Sequence, residues 1–300
     1  MPIEPRGFST LLPFALPPYE PSPLEEADHQ QARDLLHLAR RQHTHLDWQS
    51  LPSLLVDPLT RCWVVKQDKS IQALLGATLH KLPQSEPKVA WLRLIAPSAY
   101  DVVLDRVWEA LLDDLTQRGI EQIGLLAVDS WVEKLAARWR FEHTNSVVTL
   151  ERSSGPMPPR ITPPLCIRDA VRNDLETVEK VDAAAFHPLW HHNRAALEAA
   201  QQQSATFTVI EFQGGILGYQ LSTWYIDTGH LARLAVKPEA QGKGLGKALV
   251  AEMLRFFEER GITRITVNTQ EDNVVSQSLY TSLGFHFTGH SVPVWTLEPG

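Results

Sequence analysis

The chain has 300 residues, 43% hydrophobic and 21% charged, with 28 Lys and Arg against 35 Asp and Glu for a net charge of −7. That length suggests about two domains. The charge divides as −4 before residue 160 and −3 from it onward, without a basic block, so neither half is a nucleic-acid-binding arm. No apolar run reaches the roughly 18 residues of a membrane span, and the apolar patch at 8–16 is interrupted by Pro13 and lacks a cleavage-site pattern, so no leader is expected. Cys62 and Cys166 have no metal or redox spacing and are expected to be reduced core thiols in a cytoplasmic protein.

In chain order, residues 8–12 read as a short edge strand before Pro13, and the remaining proline-rich start reads as extended loop. The spacing of Leu24, Ala27, Ala32, Leu35, Leu36 and Ala39 predicts a helix over 23–41, continued after a break at 51–55. Residues 61–67 and 71–79 read as antiparallel strands joined by a turn at 67–70, and 89–95 as a third strand stopped by Pro97. A helix over 101–118 closed by Gly119 follows, then a strand at 120–128, a short helix at 132–139 and a closing strand at 147–150. Residues 153–164, with five prolines and a glycine, read as a linker. The pattern then starts again: a strand at 166–169, helices at 174–186 and 194–202, and a hairpin of 207–212 and 216–225 around Gln213-Gly214-Gly215.

The two parts are an internal repeat. Arg118-Gly119-Ile120 and Ile123 match Arg260-Gly261-Ile262 and Ile265, while Leu135 and Phe141 match Leu279 and Phe285. Two copies of one fold account for this, with boundaries at 1–152 and 165–300. The fold class is α/β, with a mixed and mostly antiparallel sheet flanked by helices in each copy.

Residues 231–285 carry the chemistry. A strand over 231–236 runs into Pro238 and the turn Gln241-Gly242-Lys243-Gly244-Leu245-Gly246-Lys247. An amphipathic helix to Arg260, a strand at 262–268, Asn273 and a helix bearing Tyr280 follow. Glycines before a helix let several N–H groups converge on a phosphate, and the helix N-terminus favours negative charge. The Walker pattern fails because Ala248 follows Lys247, and the dinucleotide pattern fails in both registers, at Lys247 and at Leu249.

The grouping of Gln241, Gly244 and Gly246 with Asn273, Tyr280, Gly284 and Phe285 resembles the acetyl-CoA-binding core of the GNAT N-acetyltransferases. Over roughly 165–290 it is most similar to the branch that acetylates ribosomal-protein alanine. The resemblance implies two tandem GNAT-like domains with acetyl-CoA as co-substrate and no metal. It places the pyrophosphate on Gln241, Gly242, Lys243, Gly244, Leu245, Gly246 and Lys247, and the pantetheine beside Leu234, Ala235 and Val236 of a splayed strand. Asn273 and Ser276 would contact the pantetheine arm, although Asn273 reads equally as a helix N-cap. Tyr280 would be the acid that protonates the departing thiolate. The first copy has Ser98-Ala99-Tyr100 where the glycine turn is due, Ala136 for Tyr280 and Arg140 for Gly284, and is expected to lack a CoA site.

The base is open. Asn268, which cannot take a proton, occupies the strand position where the ribosomal-protein branch has a Glu. His230 has a suitable intrinsic pKa, and a packing role or a water-relayed base are alternatives. The acceptor wall is expected from Phe186, Trp190 and Trp224, with Asn268. His187 and His191 have a metal-like spacing, but Pro188 and the lack of a grouped carboxylate favour an aromatic wall. The partner is then an amine, a protein N-terminus or a small molecule, met by a monomer or homodimer. The alternative function is a non-catalytic acyl-CoA-binding or scaffold protein.

Overall fold

The computed structural model describes residues 20–81, 85–97, 101–153, 155–162 and 164–300. The strand expected at 8–12 and the segment 98–100 lie outside the described residues. The first half runs β1 (Pro21–Pro23), α1 (His29–Leu38), β2 (His43–Thr44), α2 (Leu51–Val56), β3 (Thr60–Gln67), β4 (Ser70–His80), β5 (Val89–Pro97), α3 (Asp101–Gln117), β6 (Gln122–Leu126), α4 (Ser130–Arg138) and β7 (Glu142–Arg152). The second runs β8 (Leu165–Asp169), α5 (Leu175–Ala185), α6 (Arg194–Gln203), β9 (Thr206–Phe212), β10 (Gly215–Tyr225), β11 (Thr228–Val236), α7 (Leu245–Glu258), β12 (Arg264–Gln270), α8 (Val274–Ser282) and β13 (His286–Leu297). The helix expected over 23–41 is shorter, because Pro21–Pro23 pairs as an edge strand and Glu26–Asp28 form a 3-10 turn.

Local chemistry explains most boundaries. Asp68 and Lys69 turn β3 into β4 with φ of 49° and 65°, and Gln213 and Gly214 turn β9 into β10 with φ of 49° and 80°. In each half the sheet is covered on both faces. Helices α1 and α2 bury Ala32, Leu36, Leu51, Leu54 and Leu55 on one face, while α3 and α4 bury Leu104, Val107, Leu111, Val132 and Leu135 on the other. In the second half α5 and α6 bury Leu175, Val178, Val181 and Leu197, and α7 buries Val250, Met253, Leu254 and Phe257.

The repeat is visible in two matching irregularities. Between β4 and β5 the register slips at Arg93, and between β10 and β11 it slips at Ala232. Beside each bulge a parallel pair separates: β5 and β6 pair only from Val89–Gln122 to Trp91–Gly124, and β11 and β12 only from Thr228–Arg264 to Leu231–Val267. A bulge sharpens local twist and drives such strands apart.

The closing strands are exchanged. The sheet order is β1-β3-β4-β5-β6-β13-β7-β12-β11-β10-β9-β8, with β2 on β5. Strand β7 of the first half therefore lies between β13 and β12 of the second, and β13 lies between β6 and β7. Arg152, at the end of β7 and nearly buried, donates from Nε to the carbonyl of Leu283 at 2.8 Å. Both cysteines are free. Cys62 is half-buried, and burial pushes its thiol up to about 12. Cys166 is exposed rather than in the core, because it faces outward on β8.

Candidate active site

The gap opened between β11 and β12 leads into a cavity of about 380 Å³. Both halves line it: His45, Asp47, Trp48, His80 and Trp91 from the first, and Phe186, Trp190, His230, Ala232 and Tyr280 among those from the second. Asn268, Asn273, Ser276 and Leu234 also line it. Of the expected acceptor residues, Trp224 does not. It is 48% exposed, and its ring lies 6.3 Å from that of Phe256 and 6.4 Å from that of Phe257. Successive strand residues face opposite sides of a sheet, and Thr223 rather than Trp224 faces the cavity.

Beyond the end of β11, Gln241 anchors the turn by donating from Nε2 to the carbonyl of Val236 at 3.0 Å, and Lys243 Nζ donates to the carbonyl of Glu239 at 3.0 Å. Gly242 and Gly244 have φ of 74° and 78°, left-handed values that a side chain adopts only with strain. A Cβ at either would meet nothing within 4 Å, so the turn faces open space. Gly244 is the N-cap of α7. The N–H groups of Leu245, Gly246 and Lys247 occupy its first turn, where the helix supplies no acceptor. Gly246 packs under Leu279 and Leu234, joining α7 to α8 and β11. The turn and the parted strands together fit an extended thioester with a phosphate end.

Tyr280 is 4% exposed and its ring packs 5.7 Å from Phe285. Burial raises its hydroxyl above the usual phenol value, against a smaller opposing effect of a hydrogen bond with Ser276. Tyr280 is thus a neutral donor at every physiological pH. Asn273 caps α8, accepting from the amide of Ser276 at 3.0 Å. His230 Nδ1 lies 2.9 Å from Thr266 Oγ1, and that hydroxyl donates to the carbonyl of Gly229 at 3.4 Å. Either atom of the His230–Thr266 pair can donate, and in the tautomer with the proton on Nδ1 the other ring nitrogen, Nε2, is the acceptor. Burial lowers its pKa from the ordinary histidine value. Asn268 accepts from Thr149 Oγ1 of β7 at 2.9 Å.

Residues outside the glycine and tyrosine motif hold the aromatic wall of the cavity. Asp182, fully buried on α5, accepts from Arg233 Nε and from a second guanidinium nitrogen, both at 2.8 Å, from the amide of His192 at 2.8 Å, and from the Tyr219 hydroxyl. Burial opposes the Asp182 charge, but Arg233 outweighs it and holds the carboxyl below its usual value. Arg233 also donates to the carbonyl of Trp190 at 2.6 Å and stacks 3.7 Å over the Phe186 ring. A signal was available: Asp182 interrupts the apolar stripe of α5 and Arg233 interrupts that of β11, and a buried charge implies a partner.

Trp190 packs edge-on against Trp91 of the first half at 4.9 Å, and Trp91 donates from Nε1 to the carbonyl of Leu189. Leu189 fills the place a Cβ on Gly124 would take. The 3-10 turn Pro188–Trp190 therefore plugs the parted β5–β6 pair of the first half. His187 caps that turn, accepting from the Leu189 amide at 3.3 Å, and His191 is buried with Nε2 unpartnered. Among the described residues no group of three or more His, Cys, Asp or Glu is arranged to hold a metal ion.

The splayed strands, bulge, glycine turn and capped α8 lie together in the second half. The tandem GNAT protein from the clavulanic acid biosynthesis pathway aligns with 94% of this chain and 98% of its own at a TM-score of 0.60 and 15% identity, which establishes the shared fold. Residues 175–285 match the Acetyltransferase (GNAT) family. A mycothiol acetyltransferase of Amycolatopsis mediterranei (strain U-32) is 31% identical over 139 residues, 40% of this chain and 45% of that protein. A ribosomal protein bS18-alanine N-acetyltransferase of Haemophilus ducreyi (strain 35000HP / ATCC 700724) is 25% identical over 122 residues, 40% of this chain and 81% of that protein. The chain thus spans less than half of the first relative and most of the second. No helix among the described residues is long and apolar enough to cross a membrane.

Proposed function

We propose that the chain transfers acetyl from acetyl-CoA to a primary amine by direct attack in a ternary complex. The observation that carries this reading is that the bulge at Ala232, His230 and Tyr280 line one cavity beside the parted strands. The first-turn amides of α7 and the Gly242–Gly244 turn hold the pyrophosphate. The unpaired stretch of β11 over 234–236 lies along the pantetheine, and its amides polarise the thioester carbonyl as charge develops on the oxygen. Bound there, acetyl-CoA supplies an activated acyl group with a thiolate leaving group.

His230 Nε2 takes the proton of the attacking amine, and its lowered pKa keeps it neutral and competent near pH 7. Tyr280 donates a hydrogen bond to the departing sulfur. Since its proton is held more tightly than a free thiol's of about 8.5, it stabilises the thiolate without giving up the proton fully. Phe186 and Trp190 line the acceptor side, and Asn273 and Ser276 the pantetheine side. The first half, its own strand gap plugged by Leu189, holds no CoA and serves as the far wall.

The test is thiol release from acetyl-CoA with a panel of alkylamines, diamines, amino sugars and peptides. Amine-dependent release is expected, with kcat falling about a hundredfold or more in Tyr280→Phe while acetyl-CoA affinity holds. Tight acetyl-CoA binding with no acceptor-dependent release would sink this reading and favour a sensing or scaffold role.

A further inference from the structure

We propose that Asp47, from the first half of the chain, selects the acceptor by binding the second, cationic end of a diamine whose first amine meets the bulge at Ala232. The proposal rests on the acetyltransferase reading above and adds the class of acceptor.

Asp47 lies between β2 and α2 with φ of 48°, and two neighbours fix its carboxylate. His45 Nε2 donates to Oδ1 at 2.8 Å, and Arg93 donates to Oδ2 at 2.7 Å. Each oxygen has used one of two lone-pair directions. The Asp47 side chain is 27% exposed, whereas Arg93 is 5% exposed behind it. The carboxylate therefore presents free acceptor positions to the cavity while the cation that orients it stays in the wall. Burial opposes its ionisation, but His45 and Arg93 outweigh that and hold the carboxyl well below the usual range.

The other charges around the cavity do not compete. Arg233 also lines it, but its guanidinium is closed onto Asp182 by two hydrogen bonds. His80 and His192 are kept neutral, each lowered to about 3 chiefly by burial. The same cavity is lined by Trp48, Trp91, Trp190 and Phe186. An anionic end, an aromatic stretch and a neutral base match a molecule with a cation, an apolar spacer and an attackable amine. Aromatic faces favour a methylene chain next to a cation.

The experiment measures kcat/KM for α,ω-diamines of increasing spacer length, beside alkylamines, amino alcohols and peptides of matched length. One spacer length is expected to exceed its matched alkylamine at least tenfold, about 1.4 kcal/mol. In Asp47→Asn the diamine is expected to lose more than the alkylamine, bringing the ratio close to one, with calorimetric acetyl-CoA binding as the check on folding. Asp47→Glu is expected to restore the preference at a shorter spacer, a shift that a purely structural role would not produce. Equal use of diamine and alkylamine, a diamine preference that survives Asp47→Asn, or better use of amino alcohols or peptides would each overturn the Asp47 assignment and leave acetyl transfer standing. No transfer to any amine would overturn both.

Discussion

Arg140 stands at φ of 63° where its repeat counterpart, Gly284, stands at 86°. A left-handed backbone costs an L-residue about 1–2 kcal/mol, and glycine offsets part of that through its freer unfolded state. Arg140→Gly is expected to stabilise the chain by about 1 kcal/mol in chemical denaturation. Gly244→Ala is the converse: open space removes any clash, so about 1–2 kcal/mol of stability is lost to φ strain alone. Acetyl-CoA affinity, measured by calorimetry, is expected to fall as the amides of the turn are re-aimed. The proposed base, His230, sets the expected pH response. Because its folded pKa lies below 6.5, kcat/KM is expected to have an acid limb below pH 6.5 and rise through it with pH, and His230→Gln removes that limb. The glycine turn, the Asn273 cap and the helix bearing Tyr280 were legible because a short motif carries them. Asp47, His45 and Arg93 were not, because each reads as one surface charge until the fold joins segments far apart in sequence.

Within the second half, α5 matters for what it fixes rather than what it touches. Asp182 ties that helix to β11 through Arg233, to β10 through Tyr219 and to the segment that follows the 188–190 turn through the amide of His192. Removing one partner of a buried pair strands the other, so Asp182→Ala is expected to cost about 3–5 kcal/mol, read as a lowered thermal midpoint. The pair also has a pH signature. The folded pKa of Asp182 is depressed, so its contribution is complete above the unfolded value near 4 and is lost as pH falls through the lower folded value. Asp182→Asn should lack that part of the acid transition. The helices and strands themselves were readable from their periodicity, and errors fall at ends such as 23–28, where proline and a 3-10 turn override the apolar stripe. Trp224 was misplaced for a related reason: one step along a strand exchanges the cavity for the opposite face.

Across the whole molecule, one buried and two half-buried histidines make the fold acid-labile. His43, His80 and His192 are each lowered to about 3, chiefly by burial, and neither ring nitrogen of His43 has a hydrogen-bond partner. The unfolded chain binds these protons near pH 6.5 and the folded chain does not, so stability rises with pH across the interval between about 3 and 6.5. At about 1.4 kcal/mol per proton per pH unit, the slope is expected to approach 4 kcal/mol per pH unit in urea titrations, and His43→Phe should remove about a third of it. The repeat was legible from matched residues, but the exchange of β7 and β13 was not. Both are strands of similar character, and which edge each one joins is decided by contacts that no local pattern records.

That exchange has a consequence for how the chain acquires its shape during synthesis. Glu151 of β7 pairs with Arg264, 113 residues later. Until β12 and β13 emerge from the ribosome, the nascent first half carries β6 and β7 without these sheet neighbours. Long-range pairing of this kind is slow and leaves strand edges open to association. The first half is therefore expected to need protection until β12 and β13 have been made, and slowed elongation after residue 152 should raise aggregation of the nascent protein.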